Sequence, residues 1–228
     1  MKINKLGSKE IGMEQVAKHR YMDYDFEDHI GKPIPLSKLW LKRICDIILA
    51  LIGMIILTIA VIIFGPIIKL TSPGPIFYSQ KRVGYMGKPI MIHKFRSMRN
   101  DAEKNTGAVW AQKNDPRVTK IGKFMRKTRV DELPQFWNIL VGNMSLVGPR
   151  PERPVLTEEF YEKWPEFPQR LRTIPGLTGW AQINGGYELK PNEKAKLDNY
   201  YINHWSLWFD VKILFGTVKI IFNGDGAR

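Results

Sequence analysis

The chain has 228 residues, enough for one domain with a real core and a small accessory piece. Lys and Arg number 35 against 22 Asp and Glu, and the resulting +13 points to a polyanionic partner: nucleic acid, an anionic membrane surface or a phosphorylated substrate. The single cysteine, Cys45, excludes an internal disulfide, the four histidines lack the spacing of a zinc site, and no Walker or dinucleotide-type glycine loop occurs.

Residues 1–38 are polar and mixed in charge, and read as a loosely ordered arm with a short helix near Ile11 to Tyr21. From Ile47 to Ile68 there are 22 residues without a charge, the length of a membrane helix, so residues 39–71 are read as the membrane segment. Lys38, Lys42 and Arg43 precede it, and Lys69, Lys81 and Arg82 follow. A spanning helix carries its basic excess on one side, whereas symmetric flanks suit a segment that enters and leaves by the same face. Gly53 or Gly65-Pro66 supplies the break that such a re-entrant path needs. Both topologies stay open on these grounds.

Residues 72–228 form the body. After the Ser72–Pro75 turn, Ile76–Tyr78 reads as a short strand and Gly84–Gly87 as a turn. Ile90 to Met98 alternates as a strand that delivers Lys94 and Arg96 to one face, either a solvated face or a phosphate clamp. Residues 100–116, with Trp110, read as a loop over a site. Thr119 to Arg129 has five basic residues in eleven, and Ile121, Phe124 and Met125 share a helical face that suits anionic lipid.

That segment leads into Asp131 and Glu132. Thr128 and Asp131 resemble a capping box and Pro134 suits a first helical turn, so a helix is expected through Phe136 and Leu140. Carboxylates there either stabilise the helix start, by about 0.3–1 kcal/mol each, or are kept ionised as nucleophile and metal ligand. Pro149 and Pro151 hold Arg150 in extended backbone, as a stiff connector or a preorganised anion grip. Thr157 to Arg172 reads as helix interrupted at Pro165 and Pro168. Pro175 to Gly185 is a loop and strand whose glycines allow close approach to a ligand or serve a tight turn. Lys194 to Phe222 is helical, with tryptophans that suit a membrane interface or a buried core.

Four motifs occur in order: K-F-R-S-M at Lys94 to Met98, D-E-L-P-Q at Asp131 to Gln135, M-S-L-V-G-P-R-P-E at Met144 to Glu152, and P-G-L-T-G-W-A-Q-I-N-G at Pro175 to Gly185. From about Leu39 to Phe222 the chain resembles the bacterial sugar transferases, monotopic polyprenol-phosphate phosphoglycosyltransferases. The resemblance implies transfer of a sugar 1-phosphate from a UDP-sugar to polyprenyl (undecaprenyl) phosphate on the cytoplasmic face of the bacterial inner membrane. It also implies a first membrane step of surface polysaccharide assembly. Asp131 matches the family's nucleophile, which forms an aspartyl-phosphosugar intermediate and releases UMP. Glu132 matches the second member of the dyad and would help to hold Mg²⁺. Lys94, Arg96, Arg126 and Arg150 fall at or beside motif positions as phosphate-binding cations, and Glu152 and Asp198 are further candidate site carboxylates.

The implied architecture is α+β: a membrane-embedded, re-entrant N-terminal helix joined to a small α/β catalytic domain, residues 72–228, with amphipathic surface helices. One departure stands out, because members commonly break the membrane helix with Ser-Pro where this chain has Thr58-Ile59. Thr58 bonding back to a carbonyl, or Gly65-Pro66, would do the bending. The competing reading is a membrane-tethered basic module that binds nucleic acid or anionic lipid without catalysis. It lacks any nucleic-acid-binding motif, so no nucleic acid is expected, while a homo-oligomer is compatible with the sequence. The motifs do not name the sugar.

Overall fold

The computed structural model describes residues 32–102 and 115–223. Most of the polar arm, including the expected helix near Ile11 to Tyr21, lies outside them, as does Trp110 with the centre of its loop.

The longest element is α1, Trp40–Thr71, whose 32 residues extend about 48 Å at 1.5 Å per residue. By length and composition it is apolar enough to cross a membrane. Lys42, Asp46, Ala50, Gly53, Leu57, Ala60, Gly65 and Ile68 recur every three or four residues and are buried, forming one narrow stripe against the body. On the other sides Ile48, Leu51, Ile55, Ile59 and Ile62 are exposed. The helix therefore has a seam for protein and a broad surface suited to hydrocarbon.

α1 is unbroken. Thr58 donates to the Met54 carbonyl at 2.9 Å and Pro66 is accommodated inside the helix, but neither breaks it, so the break expected for a re-entrant path is not made. Gly53 has a packing role, since a Cβ there would lie 2.4 Å from the Phe136 ring, and its absence lets α3, Gln135–Leu140, cross α1 closely. The Arg43 guanidinium caps α3 from below by donating to the Ile139 and Leu140 carbonyls.

Strands β1, Phe77–Val83, and β2, Pro89–Phe95, form an antiparallel hairpin across the expected glycine turn, with Tyr78 opposite Lys94 and Arg82 opposite Ile90. Cross-strand partners share a face, so Tyr78, Gln80, Arg82 and Lys94 point the same way. Asn138 of α3 docks on β2, accepting from the His93 N–H at 3.1 Å and donating to the Met91 carbonyl at 2.6 Å.

α2, Lys120–Lys127, corrects the lipid-facing expectation in part. Met125 is fully buried and Ile121 packs into the cluster formed with α1, whereas Phe124 is exposed beside Phe64, ring centroids 6.1 Å apart. Most of the apolar face thus serves the core. The Thr128 capping box is not made: its hydroxyl donates back to the Phe124 carbonyl at 2.9 Å, and Asp131 and Glu132 sit instead in a separate 3₁₀ turn, Val130–Glu132.

β3, Ser145–Val147, pairs in parallel with β4, Gly176–Thr178. A Cβ on Gly176 would lie 2.1 Å from the Gly148 nitrogen. This glycine serves the approach of two backbones of the same chain. α4, Pro154–Lys163, stops before Pro165, and a 3₁₀ segment, Phe167–Arg172, follows. The short α5, Trp180–Ile183, leads to α6, Pro191–Asn203, and α7, Leu207–Asn223, so the segment read as helical from Lys194 to Phe222 is two helices separated at His204–Ser206. Ile213 of α7 is buried while Trp208 and Phe215, seven residues apart on one face, are exposed. Both readings of this segment, core and interface, hold on different faces.

Candidate active site

The shared face of the β1–β2 hairpin, the 3₁₀ turn carrying Asp131, the extended Pro149–Arg153 stretch and the start of α6 enclose a cavity of about 300 Å³. Among the described residues, ten cations line it (Arg82, Lys94, Arg96, Arg99, Arg117, Arg126, Arg129, Arg150, Arg153 and Lys194) against three carboxylates, Asp131, Glu132 and Glu152. The positive charge seen in the composition is therefore concentrated on a pocket, where low dielectric strengthens its effect on a bound anion.

Asp131 and Glu132 are both buried, and they are treated oppositely. Glu132 Oε1 accepts from Lys94 at 2.9 Å and forms a second ion pair with Arg150. Burial alone would push its carboxyl up, but Arg150, Lys94 and Arg129 outweigh that and hold it well below the usual carboxylate range. Asp131 makes no hydrogen bond or ion pair with any described residue. Burial, reinforced by the charge on Glu132, pushes it up to about 6 against the pull of Lys94, Arg126 and Arg129. The helix terminus expected to keep it ionised is not what sets its charge.

The local backbone supports this. Arg129, immediately before the turn, adopts φ 59° in the left-handed region, which is uncommon for a residue with a side chain and characteristic of functional sites. Arg126 donates through Nε to the Ser97 hydroxyl at 2.9 Å. Arg150 also donates to the Leu177 carbonyl at 3.3 Å, so the β3–β4 pair fixes it. Glu152 Oε1 lies 3.7 Å from Lys194 and Oε2 3.7 Å from Arg82.

Two sequence candidates have other duties. Arg96 lines the cavity, but its terminal nitrogens donate to Pro73 at 2.7 Å, Ser72 at 2.6 Å and Ile68 at 3.3 Å, so it clamps the carbonyls at the end of α1. Asp198 does not line the cavity. It is buried against Arg170, with Nε at 2.9 Å and a terminal nitrogen at 2.6 Å, and burial pushes its carboxyl up despite that partner. Arg82, Arg99, Arg117, Arg129, Arg153 and Lys194 were missed as site residues. Arg129, two residues before Asp131, Arg99, directly after K-F-R-S-M, and Arg153, directly after Glu152, had a local signal; Arg82, Arg117 and Lys194 lie outside the four motifs.

The donor set suits Mg²⁺ bound together with a phosphate ligand. No group of three or more His, Cys, Asp or Glu residues gathers among the described residues, and Mg²⁺ sites of this kind use one or two carboxylates with substrate phosphates. Glu132 is ionised, and both of its ion pairs use Oε1, which leaves Oε2 as the oxygen for a metal.

A cationic pocket whose three carboxylates include the paired Glu132, next to an apolar helix, suits a phosphate-bearing ligand. The chain belongs to the bacterial sugar transferase family, whose model matches residues 37–224. It is 41% identical over 211 residues to the UDP-N-acetylgalactosamine-undecaprenyl-phosphate N-acetylgalactosaminephosphotransferase of Aeromonas hydrophila, covering 91% of this chain and 50% of that protein. It is 44% identical over 183 residues to the UDP-glucose:undecaprenyl-phosphate glucose-1-phosphate transferase of Escherichia coli, covering 78% and 39%. Against the galactosyl transferase CpsE of Streptococcus agalactiae the identity is 46% over 204 residues, covering 84% and 44%. The chain spans half or less of the length of these relatives.

Proposed function

We propose that the protein transfers a sugar 1-phosphate from a UDP-sugar to polyprenyl phosphate by way of a covalent intermediate on Asp131. The observation that carries this reading is the unpaired, cavity-facing Asp131 beside the paired Glu132, in a pocket whose charge is overwhelmingly positive.

In the first step an Asp131 carboxylate oxygen bonds to the sugar-linked phosphorus, and the bond from that phosphorus to the bridging oxygen breaks. UMP leaves with the electron pair. In the second step an oxygen of polyprenyl phosphate bonds to the same phosphorus, the bond to Asp131 breaks, and the free carboxylate returns. Splitting the transfer in two means that lipid and nucleotide sugar never share the site. Bound Mg²⁺, held by Glu132 and the substrate phosphates, would supply charge neutralisation on the diphosphate.

The residues perform the rest. A carboxyl raised to about 6 is still ionised at neutral pH yet more basic, and so more nucleophilic, than an ordinary aspartate. Lys94 and Arg150 hold Glu132 in place and present positive charge where phosphate oxygens sit. Arg126 and Arg129 flank the nucleophile and stabilise charge on the transferring group.

The seam on α1 supports a placement of the helix at the membrane. Its buried stripe runs from Lys42 to Ile68, so the body lies alongside nearly the whole helix. A helix crossing the bilayer would drag the charged body into hydrocarbon, at a cost of several kcal/mol per unpaired polar group. We place α1, unbroken, along the plane of the cytoplasmic-side leaflet of the bacterial inner membrane, with its buried seam towards the body and both ends on that side.

The test of the chemistry is UMP release from a panel of UDP-sugars with Mg²⁺ and undecaprenyl phosphate. Activity that is lost in Asp131→Asn supports the mechanism, and full activity in that variant overturns it. For topology, cysteines introduced near residues 35 and 75 on a Cys45-free background should label from the same side of the membrane. Labelling from opposite sides would refute the one-leaflet placement.

A further inference from the structure

The cavity is not uniformly cationic. Glu152 faces it from the extended stretch that carries Arg150, and a carboxylate there repels phosphate oxygens, so this part of the pocket suits an uncharged portion of the ligand. Its side chain is only 12% exposed, and its two ion pairs, both 3.7 Å, are too long to be hydrogen bonds. Among the described residues it has no other side-chain partner. A carboxylate that faces the cavity and makes no side-chain hydrogen bond among the described residues is left as an acceptor for a ligand with O–H or N–H donors.

The carboxylate is also held still. Pro151 and Pro154 stiffen the backbone on either side, and the Glu152 carbonyl accepts from the Val83 N–H at 2.9 Å. Arg82 is fixed by donating to Gln80 at 2.5 Å and to the Pro151 carbonyl at 3.2 Å. Lys194 stands one helical turn before Asp198, and the buried Asp198–Arg170 pair anchors that part of α6. A rigid acceptor is what distinguishes molecules that differ only in the direction of one hydroxyl.

We infer that Glu152, braced by Arg82 and Lys194, accepts hydrogen bonds from the hydroxyls of the donor's sugar and so determines which sugar is used. The inference rests on the sugar-phosphate transfer reading above and assigns the sugar end of that same pocket.

The experiment compares the full chain with Glu152→Gln and Glu152→Asp for UMP release from UDP-glucose, UDP-galactose and their N-acetylated forms, with Mg²⁺ and undecaprenyl phosphate. Binding of each UDP-sugar relative to UDP is measured in parallel. The ratio of kcat/KM between the best sugar and its epimer should shrink about tenfold or more, the size expected when one charge-assisted hydrogen bond is lost. That ratio is internal to each sample, so partial unfolding does not move it. An equal decrease for every sugar overturns the assignment. For a variant with no turnover, loss of the affinity difference between UDP-sugar and UDP supports the assignment, and retention of that difference overturns it. Weakened binding of UDP itself to the same extent would place the nucleoside at Glu152 instead. No UMP from the unmodified chain with any sugar is a distinct result, which refutes the transfer reading rather than the role of Glu152.

Discussion

Asp131 and Glu132 are neighbours in sequence, and the packing around them separates their charge states. Two cations touch Glu132; among the described residues none pairs with Asp131. The consequence is a pH dependence with a definite sign. The folded-state value of about 6 lies above the ordinary 3.8, so Asp131 favours the fold when neutral, and that contribution is lost as pH rises between those two values. At neutral pH its ionisation costs on the order of 3 kcal/mol. UMP release should therefore fall on the acid side with a midpoint near pH 6, as the nucleophile is protonated. Asp131→Asn should be inactive yet melt at a higher temperature than the unmodified chain at pH 7, which calorimetry or circular dichroism checks. A lower melting temperature would show that the buried charge is compensated by its surroundings.

Among the elements, the β3–β4 pair carries a larger duty than its three-residue strands suggest. It holds the Pro149–Arg153 stretch, and with it Arg150 and Glu152, through Gly176 N–H donating to the Pro149 carbonyl at 2.9 Å and Gly148 N–H donating to the Thr178 carbonyl at 2.8 Å. The close approach leaves no room for a side chain. Gly176→Ala should lower stability by about 3 kcal/mol, in the range of severe overpacking, and should reduce turnover further in the fraction that remains folded, because Arg150 is displaced. Denaturant titration and kcat on the soluble fraction test the two effects separately. The motif glycines were legible as places of close approach; that the approaching group is the chain's own backbone was not.

For the whole molecule, the first and last helices are joined by a buried polar network. Lys42 of α1 donates to Asp210 of α7 at 2.7 Å, Tyr201 of α6 donates to the same carboxylate at 2.7 Å, and Asp46 accepts from the Leu146 N–H at 3.0 Å. Lys42 and Asp210 are 168 positions apart and the whole site lies between them, so this contact seats the body on α1. Lys42→Met should cost about 3–5 kcal/mol by leaving Asp210 buried without its cation, and adding Asp210→Leu should recover much of the loss. Thermal unfolding of the single and double variants in detergent measures it. A double variant no more stable than Lys42→Met would show that the network is needed for more than charge balance.

The sequence by itself determined the long apolar helix, the hairpin turn at Gly84–Gly87, the extended proline stretch around Arg150 and, through four ordered motifs, the family. These are local: an uncharged run, a glycine turn or a fixed proline φ needs no partner to be read. It also named Lys94, Arg126, Asp131, Glu132, Arg150 and Glu152, all of which line one cavity. Tertiary structure alone decided which charges meet. Arg96 was spent on the end of α1, Asp198 was buried against Arg170, and Arg82 and Lys194 were brought to Glu152 from segments far away in the chain. A charged side chain reads the same in sequence whether it faces water, a carbonyl or an opposite charge. Burial and distance assign its role, and both depend on packing between elements that no local pattern encodes.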